Sequence, residues 1–404
     1  MHRFSERRHL GLSYGVMVAQ QVLVLFVLVR IQVGQLHKKR FLRVSEGDTE
    51  RCLFFLYHLF FPKKQEIILL SHPKEISLWP YCKTMDIDIV YMWVDGSDPV
   101  WLAKKNAFEQ GVASTAGEAL DEARFVDNDE LKYSLRSIER YAPWIRHIYI
   151  VTDGQVPAWI DLTNPRISII DHTEIIPREA LPTFSSPAIE WCVDNIPGLS
   201  EHFLLANDDT FIGREVSPDF FFNAKGEPII RLKKWASSKR HISLYLKTVE
   251  RAQKLILQTF GEHIPYIPHH NIDAYRKSDI QKCKELFAED VARTINNHFR
   301  SEDDLQRVVV QYYLLAIKEG ELRLMGRYNR SVSLMDKLKS TLRSRYSYDS
   351  RRIAITVGDI RAVLKKYNPT LYCLNDGEDA DEECRQRVRT FLEQEFPLKS
   401  SFEL

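Results

Sequence analysis

Short apolar runs rich in β-branched and aromatic residues alternate with amphipathic stretches from residue 87 onward. Ile87–Val94 predicts a buried strand that Asp95-Gly96 ends, and Asn128–Tyr141 predicts a helix because its leucines and isoleucine recur at helical spacing. His147–Thr152, Ile167–Ile170 and His202–Ala206 predict further strands. Strands that alternate with helices favour an α/β fold whose sheet is mostly parallel.

The pattern becomes mainly helical from about residue 247. Gln306–Ala316 is apolar enough for a buried helix, and Val357–Tyr367 and Glu382–Glu395 predict two more helices. Leu371–Leu374 predicts a short strand between them, whereas Asp336–Arg352 is basic, lacks an apolar face and predicts a solvated excursion. We therefore expect helical additions after the α/β layer.

An apolar run at residues 10–29 follows Arg3, Arg7 and Arg8 and ends at Arg30. It approaches the ~20 residues that a helix needs to cross a bilayer, which predicts a cytoplasmic tail and a transmembrane signal-anchor helix over residues 1–34. The alternative is an interfacial or buried helix. We then expect residues 35–84 to form a stem and residues 85–404 to form the catalytic domain.

The overall composition excludes several classes of protein. The formal net charge of +1 gives no basic footprint, so nucleic acid is not an expected partner. The six cysteines lack the paired short spacing of a zinc site. Cys373 and Cys384 could form a disulfide or remain two free thiols, because their spacing alone does not distinguish the two alternatives.

Carboxylates follow the predicted strands at the point where each strand ends. Asp95 and Asp98 follow the first strand, Asp153 follows another, and Asp208 and Asp209 follow a third. In open α/β sheets, ligands bind beyond the carboxyl ends of the strands. The sequence Asn207-Asp208-Asp209 therefore predicts oxygen ligands for a hard divalent cation, although acidic pairs also end strands without binding a metal.

Asp88 lies inside an apolar strand, where an ionised carboxylate is costly unless it is paired or bound to a metal. The alternative is a side chain at the edge of the strand that points to water. Glu190 follows the start of a short helix, where a carboxylate can act in catalysis or only complement the helix dipole.

Arginines and histidines supply candidate contacts to phosphate groups. Arg136 and Arg300 carry guanidinium groups that bind phosphoryl oxygens, and His269 or His270 can move a proton near neutral pH. The alternatives are an arginine on a helix surface and a loop histidine whose hydrogen bonds are already satisfied.

Several long blocks resemble one known family. They are IDIVYMWVDGSDPVW at residues 87–101, FVDNDELKYSLRSIERYAPWIRHIYIVTDGQVPAWI at 125–160, LPTFSSPAIEWCVDNIPGLSEHFLLANDDTFIG at 181–213, IPHHNIDAYRKS with FRSEDDLQRVVVQYYLLA, and LYCLNDGEDADEECRQRVRTFLEQEFPLKSSFE at 371–403. The chain resembles the Stealth family of sugar-1-phosphate transferases over most of residues 87–403. That family includes bacterial capsule polymerases and the Golgi enzyme that tags lysosomal hydrolases.

The resemblance implies transfer of a sugar-1-phosphate, with N-acetylglucosamine-1-phosphate expected, from a nucleotide-sugar to a glycan hydroxyl. It implies a Rossmann-like, glycosyltransferase-A-like fold and a Mg²⁺ or Mn²⁺ cofactor. The residues expected to line the nucleotide pocket or to contact the donor are Asp88, Trp93, Asp95, Gly96, Asp98, Glu130, Arg136 and Asn375. Those expected in catalysis are Glu190, Asp208, Asp209, His269 (or His270) and Arg300, with Asp208 and Asp209 holding the metal.

Asp88, Asp208 and Arg300 are accordingly expected to meet in a single pocket. The expected partners are UDP-N-acetylglucosamine, with GDP-mannose as a second donor, a glycan or glycoprotein acceptor, the membrane, and a second copy of the chain in a homodimer. The anchor and the sequon at Asn329 favour a single-pass type II Golgi protein, and a bacterial inner-membrane enzyme is the alternative. The rival functions are a metal-dependent glycosyltransferase that releases a nucleoside diphosphate and an inactive glycan-binding membrane protein.

Overall fold

The apolar runs of the sequence form the strands of three sheets in a computed structural model, which describes residues 85–109, 125–234, 243–325, 346–347, 350–377 and 379–404. All of these residues belong to one compact unit. The expected signal anchor and the stem lie outside the described residues. Among the helices described, none is both long enough and apolar enough to span a membrane.

The described strands have the following bounds. They are β1 Ile87–Met92, β2 Ile148–Thr152, β3 Ile167–Asp171, β4 His202–Asn207, β5 Thr210–Ile212, β6 Ile229–Lys234, β7 Tyr266–Pro268, β8 Asp273–Arg276, β9 Glu321–Met325, β10 Tyr346–Ser347, β11 Ser350–Ala354 and β12 Leu371–Asn375. The strands predicted around residues 87, 147, 167, 202 and 371 are therefore confirmed, each within two residues at either end.

The described helices are α1 Pro99–Glu109, α2 Glu130–Tyr141, α3 His172–Ile175, α4 Ser186–Glu190, α5 Leu244–Phe260, α6 Lys277–Leu286, α7 Ala288–Ile295, α8 Val308–Ala316, α9 Ile360–Tyr367 and α10 Glu382–Glu395. The four predicted helices are confirmed as α2, α8, α9 and α10. α10 has the bounds that the pattern predicts, because Asp381 accepts a hydrogen bond from Cys384 N and caps its start.

The main sheet has the strand order β3-β2-β1-β4-β8. The first four strands are mutually parallel and β8 runs antiparallel to β4. Parallel pairing places the carboxyl ends of β1 and β4 side by side, with Met92 opposite Asn207. This arrangement confirms the α/β class and a mostly parallel sheet whose strand order is Rossmann-like.

The main sheet is buried on both faces because its central strands β1, β2 and β4 consist mainly of apolar residues. Ile89 and Leu204 belong to the core that includes Leu135 of α2, whereas Val90 and Phe203 belong to a second core on the other face. That second core contains residues of α5, α6 and α8. The site described below lies at the edge of this sandwich.

A three-stranded sheet in the order β11-β12-β5 joins the carboxy-terminal segment to the main domain. β12 pairs antiparallel with β5, so that Cys373 lies opposite Thr210. The solvated excursion predicted for residues 336–352 is wrong at 346–347, which form β10, and at 350–352, which form part of β11; its other residues lie outside the described ones. Parallel pairing with β12 makes this segment a strand, in which Ser350 and Ile353 are buried while Arg352 stays exposed.

Candidate active site

Two adjoining cavities open at the carboxyl edge of the main sheet. The first, here the aromatic cavity, has a volume of about 150 Å³ and includes Trp93 and Asp208 in its lining. The second, here the basic cavity, has a volume of about 430 Å³ and includes His269 and Asn375. Ser186, Asn207 and Arg300 line both, so the cavities meet at these three residues.

Four aromatic side chains line the aromatic cavity: Trp93, Trp101, Phe125 and Phe184. The Trp101 ring lies 5.2 Å from Phe125 and 5.5 Å from Phe184 between centroids. The Trp101 ring is tilted by 49° to Phe125 and by 79° to Phe184, and together these rings give the cavity an apolar, aromatic wall. Such a wall suits a planar base, which stacks on aromatic side chains regardless of its identity.

The loop after β1 is held in place by its own polar residues. Gly96 N donates to Phe125 O, and a Cβ on Gly96 would lie 2.3 Å from that oxygen, so only glycine allows this approach. Asp95 accepts from Ser97, and Asp98 accepts from Val100 N and so caps α1. Asp95, Gly96 and Asp98, predicted to contact the nucleotide, line neither cavity and instead shape the loop that carries Trp93.

Asp208 stands among other carboxylates. Burial, Asp209 and Glu130 raise the pKa of Asp208 well above its ordinary value. Burial raises the pKa of Glu130 to about 8, and burial likewise raises the pKa of Asp127 to about 6. Carboxylates that are close together and buried resist ionisation until a cation compensates their charge. Asp208 therefore lies in a negative environment whose charge a cation would compensate.

Asp209 has a different environment. Burial alone would raise the pKa of Asp209, but His270 and the Cys373 thiol hold it below the ordinary value. Asp209 Oδ2 accepts a hydrogen bond from Cys373 Sγ at 3.0 Å and lies 3.4 Å from His270 Nε2. Asp209 Oδ1 is buried and has no hydrogen-bond partner in the described part of the chain.

Arg300 is placed to contact groups in both cavities. Its Nη2 donates to Ser186 Oγ at 2.6 Å, which fixes the guanidinium at the junction. Asp208 and Arg300 line the same cavity, as the sequence predicts. A guanidinium forms strong hydrogen bonds with phosphoryl oxygens, so Arg300 is a candidate to bind a phosphate group.

Glu190 is held by Arg307, a residue that the sequence analysis did not select. Arg307 Nη1 donates to Glu190 Oε1 at 2.6 Å, and Arg307 Nη2 lies 3.5 Å from Asp273 Oδ2. Glu190 Oε2 is buried without a hydrogen-bond partner among the described residues. The one signal in the sequence was the position of Arg307 directly before the apolar helix α8, because an arginine at the start of a buried helix needs a partner in the core.

The two histidines of the basic cavity differ in their surroundings. Burial, Lys233 and His270 lower the pKa of His269 to about 3, so its imidazole is neutral at pH 7. His269 Nδ1 lies 3.1 Å from Ser350 Oγ, whereas His270 faces Asp209. Asn375 Oδ1 accepts from Arg352 Nε at 2.9 Å on the same wall.

Asp88 does not join Asp208 and Arg300, so the expectation of one pocket for all three is wrong for this residue. It sits four positions before Met92 in β1, about 13 Å from the carboxyl edge at ~3.3 Å per residue. Its oxygens accept from Arg146 Nε at 2.8 Å, from Arg146 Nη2 at 2.6 Å and from Ser200 N at 2.7 Å. The buried carboxylate is thus paired, as its cost requires, but with arginine rather than with a metal.

Arg136 also lies away from both cavities. Its guanidinium binds both oxygens of Glu403, and Nη1 donates to Phe396 O. It therefore attaches the carboxy-terminal segment to α2, and the predicted role in donor binding is corrected to a structural one. Glu130, also predicted to contact the donor, lines neither cavity and affects the site by helping to raise the pKa of Asp208.

Cys373 and Cys384 are free thiols, which excludes the disulfide alternative. Cys373 Sγ donates to Asp209, and Cys384 Sγ accepts from Arg387 Nη2 at 3.0 Å.

Comparison with known proteins identifies the family. Three models of the Stealth family match: conserved region 1 at residues 85–113, conserved region 2 at 124–230 and conserved region 4 at 361–404. The chain belongs to the Stealth family. Both aspartates of the site, together with Trp93, Glu190 and Asn375, lie inside these Stealth regions.

Similar curated proteins are polysaccharide phosphotransferases. The chain is 35% identical over 327 residues to an exopolysaccharide phosphotransferase of Streptomyces coelicolor, covering 78% of this chain and 52% of that one. It is 33% identical to the capsular polysaccharide phosphotransferase SacB of Neisseria meningitidis serogroup A, and that alignment covers 81% of this chain and 59% of SacB. It is also 34% identical to the exopolysaccharide phosphotransferase CpsY of Mycobacterium tuberculosis, and that alignment covers 79% of this chain and 58% of CpsY. This Stealth chain thus spans between 52% and 59% of the length of these relatives.

Among solved structures, the galactosyltransferase LgtC aligns over 78% of this chain and 96% of its own, with a TM-score of 0.36 at 10% identity. An active-site mutant of LgtC gives the same TM-score at 11% identity. A similarity this low does not decide the fold type, so the glycosyltransferase-A-like assignment of this Stealth protein stays a prediction.

Proposed function

We propose that this Stealth protein transfers a sugar-1-phosphate from a nucleotide-sugar to a hydroxyl of a glycan and releases a nucleoside monophosphate. The observation that carries the proposal is the junction of the two cavities at Ser186, Asn207 and Arg300, with Asp208 beside it. One cavity would hold the donor and the other the acceptor, so the phosphorus would lie between them.

The aromatic cavity supports the donor half of this proposal. Its ring wall would stack on the base, and Arg300 at its inner end would bind the phosphoryl oxygens. The transition state of phosphoryl transfer spreads negative charge over these oxygens, so positioning and positive charge supply most of the catalysis.

We propose Mg²⁺ or Mn²⁺ as the cofactor, held by Asp208 and Asp209. The residues fit this group, because Asp208 and Asp209 are adjacent carboxylates in the turn after β4 and Asp209 Oδ1 is a buried acceptor without a partner among the described residues. When bound, the cation would neutralise charge on the phosphoryl oxygens.

For the acceptor half, Glu190 is the residue that we propose to receive the proton of the attacking hydroxyl. Its Oε2 is available as an acceptor, while Arg307 fixes its other oxygen. His269 is a weak base, because burial, Lys233 and His270 lower its pKa to about 3. We assign His269 and Asn375 to binding the acceptor.

The names of the similar proteins support a polysaccharide or glycan acceptor. For the donor we propose UDP-N-acetylglucosamine, with GDP-mannose as the second candidate. For the location we propose a single-pass type II membrane protein of the Golgi anchored by residues 10–29, with a bacterial inner membrane as the alternative, and a homodimer as the assembly.

The leaving group tests the reaction. The purified full chain is incubated with each donor, Mg²⁺ or Mn²⁺ and a glycan acceptor, and the released nucleotide is identified by chromatography. Release of UMP or GMP supports the proposal. Release of UDP or GDP identifies the protein as a glycosyltransferase instead, and no release from either donor argues for a glycan-binding protein.

A matched pair of variants tests the assignment of the site. Asp208→Asn should abolish turnover, whereas Asp86→Asn, at an exposed carboxylate before β1, should retain it. Equal turnover in the two variants would remove Asp208 from the mechanism.

A further inference from the structure

A carboxylate oxygen, an imidazole nitrogen and a thiol sulfur meet where β5, β7 and β12 come together. Asp209 Oδ2 lies 3.0 Å from Cys373 Sγ and 3.4 Å from His270 Nε2, and all three ligand atoms lie within 4.8 Å of one another. The residues are distant in sequence, so no motif spacing marks them. We call Asp209, His270 and Cys373 the three-ligand cluster.

Regular structure holds the cluster in place. Asp209 lies in the turn between β4 and β5, and Leu374 N donates to its carbonyl oxygen at 2.9 Å. Cys373 is opposite Thr210 in the antiparallel β5–β12 pair, and His270 lies just after β7. Backbone pairing thus fixes the thiol against the carboxylate before any ligand binds.

Two buried oxygens next to the cluster have no hydrogen-bond partner in the described ranges. They are Asp209 Oδ1 and Asn207 Oδ1. A buried acceptor without a donor costs free energy, and such groups in a native structure often mark the place of a ligand or ion. The orphaned oxygens are an observation independent of the distances, and they favour a cation at this place.

We propose that Asp209, His270 and Cys373 form a binding site for a divalent cation of borderline softness, with Zn²⁺ as the first candidate. Zinc takes carboxylate, imidazole and thiolate ligands in tetrahedral sites, whereas Mg²⁺ takes oxygen ligands and has no preference for sulfur. On binding, Cys373 releases its thiol proton to solvent and becomes the thiolate ligand. The chain supplies three ligands, and a fourth position stays open for an oxygen of a substrate or of water.

The cation has a route to the cluster through His270. This side chain is 38% exposed and lines the basic cavity, whereas Cys373 is fully buried behind it. The site does not depend on sugar-1-phosphate transfer. If that function holds, however, Asp209 belongs to both sites, so Zn²⁺ would displace the Mg²⁺ or Mn²⁺ that the reaction uses.

Cobalt(II) provides a direct probe because it occupies zinc sites and its bond to thiolate absorbs in the near ultraviolet. Titration of the full chain with Co²⁺ should produce a thiolate-to-cobalt band that saturates at one equivalent per chain and disappears on addition of Zn²⁺. Cys373→Ser should abolish the band. Cys384→Ser, which removes another buried free thiol outside the cluster, should retain it.

His270→Ala serves as the second variant, because its partly exposed side chain can be removed without opening the core. It should weaken Co²⁺ binding by more than about 10-fold, since loss of even an outer partner of a ligand typically costs 10- to 100-fold in metal affinity. This variant decides the matter if Cys373→Ser does not fold.

No band at saturating Co²⁺, or a band that persists in Cys373→Ser, would overturn the proposal and leave the thiol as an ordinary hydrogen-bond donor to Asp209. Unchanged Co²⁺ affinity in His270→Ala would overturn it as well. None of these measurements uses a nucleotide-sugar, so their failure is distinguishable from failure of the proposed function.

Discussion

Removing Arg146 should destabilise the protein more than neutralising Asp88, although the two residues form one ion pair. The side chain of Asp88 is 0% exposed and that of Arg146 is 42% exposed. Arg146→Ala therefore leaves a carboxylate buried with only the bond from Ser200 N, while Asp88→Asn leaves a guanidinium that water can reach.

The magnitudes follow from this asymmetry. Losing one partner of a buried pair costs about 3–5 kcal/mol, and we expect about 3 kcal/mol for Arg146→Ala because its removal lets water approach Asp88. Asp88→Asn keeps the size of the side chain and part of its hydrogen bonding, so we expect about 1–2 kcal/mol. At about 2 °C per kcal/mol for a domain of this size, Arg146→Ala should lower Tm by about 6 °C.

Thermal unfolding of the two single variants and of the double variant Asp88→Asn/Arg146→Ala measures these effects. The double variant should unfold at a higher temperature than the sum of the single changes predicts, because removing the carboxylate also removes the stranded charge. The KM for the proposed nucleotide-sugar donor should stay unchanged in Asp88→Asn.

A different result would refute the reasoning. If Asp88→Asn raised the KM for the donor strongly while Tm stayed at the wild-type value, Asp88 would contact the nucleotide, as the sequence led us to expect. Equal destabilisation by the two single variants would contradict the argument from burial.

Three further predictions concern the site itself. Arg300→Ala should lower kcat on the order of 100- to 1,000-fold, as the loss of a charge-stabilising donor does. The control Arg178→Ala, at an exposed arginine, should leave kcat unchanged. Equal kcat values in the two variants would exclude Arg300 from catalysis. Burial raises the pKa of Glu130 to about 8, so the folded state favours its protonated form. The free energy of unfolding should therefore fall as the pH rises from about 4.5 through 8. Denaturation at several pH values should show a smaller dependence of stability on pH in Glu130→Gln. A chelator such as EDTA should abolish donor turnover, and Mg²⁺ or Mn²⁺ should restore it; turnover that resists chelation would exclude a cation at Asp208 and Asp209.

The local elements of this protein could be predicted from the sequence because their signals are local. The apolar runs at residues 87, 148, 167 and 202 contain enough β-branched and aromatic residues to specify strands, and polar residues end each one. Parallel strands present their carboxyl ends at one edge, so the placement of Asp208 next to a cavity followed from its position after an apolar run.

The partners of charged and polar side chains followed only from the tertiary structure. Arg136 binds Glu403, 267 residues away, and Asp209 meets Cys373, 164 residues away. The sequence shows that a buried carboxylate such as Asp88 must be compensated, but not whether an arginine or a metal compensates it. That choice depends on which elements pack together, and packing is set by contacts between residues distant along the chain.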